Sequence, residues 1–424
     1  MSDEQLPPPP PDPFWLPFDE AQMRPTRLAI VGGTDPRELL FREARLPDPA
    51  TIPPRPWLYG TQLLRGFVSV LVAPGGVGKT AYAMGVALAL ACDAQIFGER
   101  VFVRCNAAVV NLEDPLDELE RRLAALMIHH KLTRDHIEGR YFLYSADDRR
   151  VTIATLSEDG SEVVHPDEAS IIREITAHSI GLLVIDPFAE SHSLDENSNP
   201  QMIRAAAAWR RIARVTGCAI LLIHHVRKGI VTDIDSSRGA KALTDSARVG
   251  LIMAPMTTDE AQEFGVDPRD RTGFVRLDDA KANMSKRAGV ARWFQLKTIE
   301  LRNGTDDYPN GDRVAAIAPW TPPSVMGDLT ITQCNQALDA IEAGPGAGSR
   351  YTRHGSAEGG TRWGPQVLMN LFDMDRHRAS GIVTTWVKAG VLREEKYIEP
   401  TTRKSVNGLY LVHSKRPGNE VSAP

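Results

Sequence analysis

The chain has 424 residues, 42% of them hydrophobic, and a formal net charge of −5, which is enough apolar content for a large domain plus a small one and excludes a disordered or fibrous chain. No run approaches the roughly 18 to 20 continuous apolar residues that a bilayer crossing needs, and residues 1–13 are acidic and proline-rich rather than basic then apolar, so a soluble, cytoplasmic protein with no membrane partner is expected. Cys92, Cys105, Cys218 and Cys334 lie far apart with no CxxC pair, which fits reduced thiols better than a disulfide frame or a zinc site.

Prolines crowd residues 1–56, where neither helix nor central strand runs far; this stretch reads as a mostly extended amino-terminal arm. From Trp57 to Trp320, short apolar runs alternate with helical patterns, the signature of a parallel sheet with crossover helices. The first run, Phe67 to Val72, leads into Ala73-Pro74-Gly75-Gly76-Val77-Gly78-Lys79-Thr80 and then an alanine-rich helical stretch. Glycines let the backbone wrap phosphate oxygens with no Cβ in the way, so successive N–H groups and the positive helix end face one anion. Pro74 through Thr80 therefore reads as a nucleotide-binding loop, with Lys79 reaching the β and γ phosphates and the Thr80 hydroxyl ligating Mg²⁺. Ala73 stands where the motif usually begins with glycine, and the cradle is unaffected.

The next runs each end in a functional group. Ala108 to Leu112 ends at Glu113-Asp114-Pro115, Gly181 to Ile185 at Asp186-Pro187, and Ala219 to Ile223 at His224-His225. In an open parallel sheet, ligands bind beyond the carboxyl ends of the strands. Asp114 reads as a helix N-cap with Pro115 at the first helical position, which leaves Glu113 as the general base for the water attacking the γ phosphate. Asp186 fits the role of holding Mg²⁺. Adjacent residues on a strand point to opposite faces, so the histidine pair reads as a sensor of the γ phosphate rather than a metal site. His129-His130, at a helix end, reads as a dipole interaction. Alternating apolar residues flank Asp159-Gly160, a hairpin signal.

Beyond Pro319 the pattern becomes three helical stretches, Thr332 to Ala343, Pro365 to Phe372 and Arg376 to Ala389, then two strand-like runs, Lys396 to Glu399 and Val406 to Val412. That order suggests a small winged-helix-like domain over residues 321–424. It would place Arg376 and Arg378 at a helix start, and Arg403 and Lys404 on a hairpin, where DNA is contacted. Residues 331–424 hold 12 Lys and Arg against 9 Asp and Glu, too small a surplus to decide the partner alone.

Across residues 57–320, Val-Ala-Pro-Gly-Gly-Val-Gly-Lys-Thr, Asn-Leu-Glu-Asp-Pro, Val-Ile-Asp-Pro, His-His-Val-Arg-Lys-Gly and Ser-Arg-Gly-Ala-Lys-Ala-Leu-Thr-Asp-Ser-Ala-Arg together resemble the RepA-type hexameric helicases of plasmids, within the RecA-like AAA family ATPases. The resemblance implies a RecA-like P-loop core, ATP and Mg²⁺ as cofactors, and a homo-oligomer, as a hexameric ring, acting on single-stranded or forked DNA. It further implies that Glu113 is the catalytic carboxylate, His224 or His225 the sensor and Arg248 an arginine finger completing a neighbour's site. Arg238 is an alternative finger and Lys281 a second trans-acting cation. Leu194 to Pro200 and the loop from Arg227 to Arg238, which carries Lys228, would line the channel. An ATP-switched DNA-binding regulator and a protein-remodelling ATPase share the same nucleotide site and stay open.

Overall fold

The computed structural model describes residues 44, 47–160, 162–226, 238–282, 284, 291–322, 329–354 and 361–417. Most of the amino-terminal arm, the cations Arg227 and Lys228, and the side chain of Arg238 lie outside the described residues.

A short ribbon, β1 (Trp57–Tyr59) with β2 (Leu63–Leu64), opens the core. β3 (Val68–Pro74) is buried at every position, as a strand covered on both faces must be, and α1 (Lys79–Cys92) follows the glycine loop. β4 (Asn106–Asn111), α2 (Leu116–His129) and β5 (Tyr141–Tyr144) come next. β6 (Thr155–Leu156) and β7 (Val163–Val164) form the expected ribbon around Gly160. The crossover pattern resumes with α3 (Glu168–Ala177), β8 (Ile180–Asp186), α4 (Asn199–Thr216), β9 (Ala219–Val226), α5 (Arg238–Ser246), β10 (Val249–Pro255) and α6 (Thr258–Phe264). Three more strands, β11 (Phe274–Ala282), β12 (Arg292–Glu300) and β13 (Arg313–Trp320), complete the sheet.

The strand order is β13-β12-β11-β10-β3-β9-β8-β4-β5. Strands from β10 to β5 pair in parallel, and β10 to β13 pair antiparallel. This is the α/β, mostly parallel architecture that the alternating runs imply. One strand, β9, lies between the strand that feeds the glycine loop and the strand that ends in Asp186. Apolar cores fill both faces: Tyr82, Met84 and Leu88 of α1 on one, Phe188 and Trp209 on the other, all essentially inaccessible. Each large apolar side chain buried this way contributes roughly 1.5 to 3 kcal/mol.

The carboxyl-terminal unit comprises α7 (Ile331–Ala343), α8 (Pro365–Phe372), α9 (Arg376–Lys388) and the antiparallel hairpin β14 (Leu392–Ile398) with β15 (Ser405–Leu411). Leu338, Ile341, Trp386 and Leu409 centre its own core. Thr330 and Gln333 form a reciprocal capping box that starts α7. The Asp375 carboxylate accepts from the His377 and Arg378 N–H groups to start α9.

The amino end of α9 sits on the carboxyl end of α6. Gly265 there has φ 69°, and a Cβ on it would lie 2.7 Å from the Arg378 Cα, so glycine is needed for both the conformation and the close approach. His377 Nε2 faces Asp267 at 3.6 Å across the same joint.

Candidate phosphate and catalytic site

The glycine loop joins β3 to α1 with Gly76 at φ 81° and Gly78 at φ 82°, backbone that L side chains rarely adopt. Nothing lies within 4 Å of a Cβ on Gly75 or Gly76, so the cradle opens outward, whereas a Cβ on Gly78 would meet the Leu296 side chain at 2.7 Å. Lys79 is buried, at 7% exposure. Burial lowers its ammonium pKa, and the carboxylates of Asp186 and Glu113 oppose that shift.

Asp186 ends β8, is 1% exposed and accepts a 2.6 Å hydrogen bond from the Thr80 hydroxyl. The loop threonine and the strand acid, 106 residues apart in sequence, are in direct contact. The other carboxylate oxygen, Asp186 Oδ1, is buried without a hydrogen-bond partner, and His225 Nε2, also unpartnered, lies 3.9 Å away. Buried polar groups almost always find partners. Unmet acceptor and donor sites beside an open glycine cradle and a buried ammonium suit a phosphate chain with a divalent cation. In that arrangement Thr80 and Asp186 would hold the cation, while Lys79 and the loop N–H groups would hold the phosphates.

β4 runs beside β8 with Asn111 opposite Asp186, and the Leu112 N–H donates to the Asp186 carbonyl at 2.8 Å. Glu113 and Asp186 therefore leave neighbouring strands at the same level. Asn111 is fully buried, and its Oδ1 accepts from the N–H groups of Glu113 at 3.0 Å and Asp114 at 2.7 Å, which fixes its amide orientation and the turn bearing Glu113. Its Nδ2 is buried and unpartnered, close to the site. Glu113 itself is exposed.

Asp114 does not cap α2. Pro115, in extended conformation, is the N-cap residue, and the Leu116 N–H is met by Asp147 at 2.9 Å. Asp114 instead forms a two-point ion pair with Arg122, which also bonds Glu118. An arginine nearly two turns into the helix takes that carboxylate because a bidentate pair in which both partners are charged is stronger than a cap bond from a neutral N–H. Asn111, Arg122 and Asp147 are contributors that the sequence reading missed. Asn111 was visible as a polar residue inside an apolar run, but nothing in sequence brings Arg122 or Asp147 to this turn.

The histidine pair lies within β9, which continues to Val226 rather than ending before it. His225 pairs in register with Ala73 and faces Asp186. His224 turns to the opposite face, buried against Phe188, whose ring also stacks edge-on with His192. Burial, with His225 and His192 nearby, pushes His224 down to about 4. Burial likewise pushes His192 down to about 4.

Both rings are thus neutral in the fold at neutral pH. Between pH 6.5 and about 4 the unfolded chain takes up protons that the folded rings refuse, so stability falls as pH falls through that window. Each ring's contribution reaches about 3 kcal/mol at the bottom of the window. Urea unfolding at pH 7 and pH 5 should show this loss, and His224→Gln should flatten it. An unchanged pH slope in that variant would refute the assignment.

Other expected residues are dispersed. Arg248 lies in the turn between α5 and β10; it is exposed, and its N–H donates to the Val68 carbonyl at the amino end of β3. Lys281 pairs in register with Gly250 at that same end, and its ammonium donates to the Thr244 and Asp245 carbonyls that close α5. Leu194 to Pro200 carries Asp195 and Glu196 and no Lys or Arg. Burial lowers the pKa of His129 and of His130, and the His130 ring packs on Phe97. Weakened protonation removes the basis for a dipole role.

Residues 35–230 match the sequence family described as an AAA domain. The glycine loop between β3 and α1, set in a mostly parallel sheet, gives the core the fold of a P-loop NTPase. Among solved structures, a KaiC-like protein from Pyrococcus horikoshii is 14% identical at a TM-score of 0.40, the match covering 63% of this chain and 99% of that one. The RadB recombinase is 14% identical at a TM-score of 0.35, with 55% and 88% covered. Neither likeness is close enough to bear on function, and the core's own strand order and glycine loop define its fold. Among the described residues, no helix is long and apolar enough to cross a membrane.

Proposed function

We propose that this chain is an oligomeric, DNA-associated motor of the RepA type, in which ATP and Mg²⁺ are held by one subunit and hydrolysis at subunit interfaces drives unwinding or translocation. Residues 57–320 would form the motor, residues 321–424 a winged-helix-like accessory domain, and residues 1–56 an arm. The observation that supports this reading is the division of the candidate groups between two ends of one sheet. Lys79, Thr80, Glu113, Asp186 and His225 gather at the carboxyl ends of the strands, while Arg248 and Lys281 stand at the amino end of β3.

In this mechanism the glycine-loop N–H groups and Lys79 bind and orient the triphosphate, and Thr80 and Asp186 hold the divalent cation. That cation supplies charge neutralisation on the phosphates. Glu113, on the turn fixed by Asn111, accepts a proton from the attacking water. His225 donates to the terminal phosphate. His224, on the other side of the strand, touches the Phe188–His192 group that precedes Leu194, so presence of the phosphate is passed toward that loop.

Strand displacement from a forked duplex, measured beside DNA-stimulated ATP hydrolysis, tests the reading. Both activities are expected, and Lys79→Ala is expected to remove both by abolishing ATP binding. Site-specific DNA binding with little displacement would instead indicate an ATP-switched regulator. Hydrolysis indifferent to DNA would indicate a protein-remodelling ATPase and end the motor reading.

A further inference from the structure

At the joint between α6 and the carboxyl-terminal unit lies a cavity of about 350 Å³. Arg353, His354, Arg376 and His377 line it together with Trp363, and among the described residues no carboxylate does. For a chain of net charge −5, this is a local concentration of cationic groups. The Arg376 guanidinium lies 4.8 Å from the centre of the Trp363 ring, forming a flat, positively charged surface. Arg353 pairs with Glu394 at 3.3 Å, and His354 faces the same carboxylate at 3.8 Å, yet Arg353 Nε is buried with no hydrogen-bond partner among the described residues. Asp267, the other nearby acid, is engaged by Arg269 at 2.8 Å and by His377 at 3.6 Å. Among the described residues the Arg376 side chain has no carboxylate partner, and it is exposed.

Two arginines with donor capacity to spare, next to a tryptophan, answer the chemistry of a nucleotide unit. Guanidinium groups grip a phosphate, and an aromatic or guanidinium plane stacks a base without regard to its identity. We propose that this joint is a single-strand nucleic-acid site, with a backbone phosphate held by Arg353 and Arg376 and a base stacked on the Trp363–Arg376 surface. The inference deepens the DNA reading above and rests on it. It also moves the contact from the hairpin tip to the joint, where the bound strand touches both the motor core and the carboxyl-terminal unit.

The test is fluorescence anisotropy of labelled oligothymidylate with the full chain over a series of salt concentrations. Trp363→Leu is expected to weaken binding roughly five- to a hundred-fold, the range for loss of one stacked base. Arg376→Gln, at an exposed position that should fold normally, is expected to weaken binding and to reduce the salt slope by about 0.7, as for one lost phosphate contact on a single strand. Thermal unfolding midpoints verify that each variant is folded. If these variants bind like wild type while Arg403→Gln with Lys404→Gln weakens binding, the joint site is wrong and the DNA reading survives. If the wild-type chain binds no oligonucleotide even at low salt, both fall. Displacement of the oligonucleotide by free ATP from a Lys79→Ala chain would overturn the proposal in favour of a mononucleotide site.

Discussion

Arg248→Ala is expected to lower the ATP turnover of the assembled protein by about 10³- to 10⁵-fold, the range for loss of an arginine finger, with ATP affinity little changed. Arg248 starts from the amino end of β3, and the glycine loop begins after the seven residues of that strand. At about 3.3 Å per residue this is a separation of roughly 20 Å, far beyond an arginine's reach. The side chain is exposed and cannot serve the phosphates of its own chain. If it serves catalysis, it does so on a neighbour. Mixing Arg248→Ala with Glu113→Gln subunits should then restore part of the turnover, because interfaces form in which both groups are intact. No recovery at any mixing ratio, or a variant that turns over normally, removes the trans role.

Glu113→Gln is expected to cost about 10²- to 10⁴-fold in kcat, the range for loss of a general base, while nucleotide still binds. The amide keeps the shape and loses the proton acceptor. Asn111→Leu should produce a smaller fall of the same kind, since it frees the turn and leaves the carboxylate. Asn111→Asp retains the acceptor for the two N–H groups and should recover part of that loss. Single-turnover hydrolysis beside nucleotide affinity separates these effects. A loss of ATP binding equal to the loss of rate in Glu113→Gln would show that the residue holds substrate rather than activates water.

The parallel half of the sheet was legible because strands buried on both faces read as unbroken apolar runs. Val68 to Val72 and Gly181 to Ile185 announce themselves, and each strand ends in a residue of different chemistry. β11 was not legible, because Arg276, Asp278 and Lys281 interrupt it near the margin of the sheet, where the strand is only partly covered. β5 is four residues long and half-buried, too short for a periodic signal. At the site, Lys79, Thr80 and Asp186 could be named from local sequence alone. Which of His224 and His225 faces Asp186 required the strand's register, and the fate of Asp114 required the arrival of Arg122. Local pattern could not have supplied either, since both depend on which side chain a neighbouring element turns toward them.

β12 shows how close the two halves of the molecule are. Its Leu296 presses on the position of Gly78. Three residues earlier its Trp293 meets Phe264 edge-on, with ring centres 5.2 Å apart. Phe264 ends α6, and the next residue is the glycine on which Arg378 rests. One short stretch of β12 therefore meets the glycine loop through Leu296 and, through Trp293 and Phe264, the end of the helix on which the small helical unit rests.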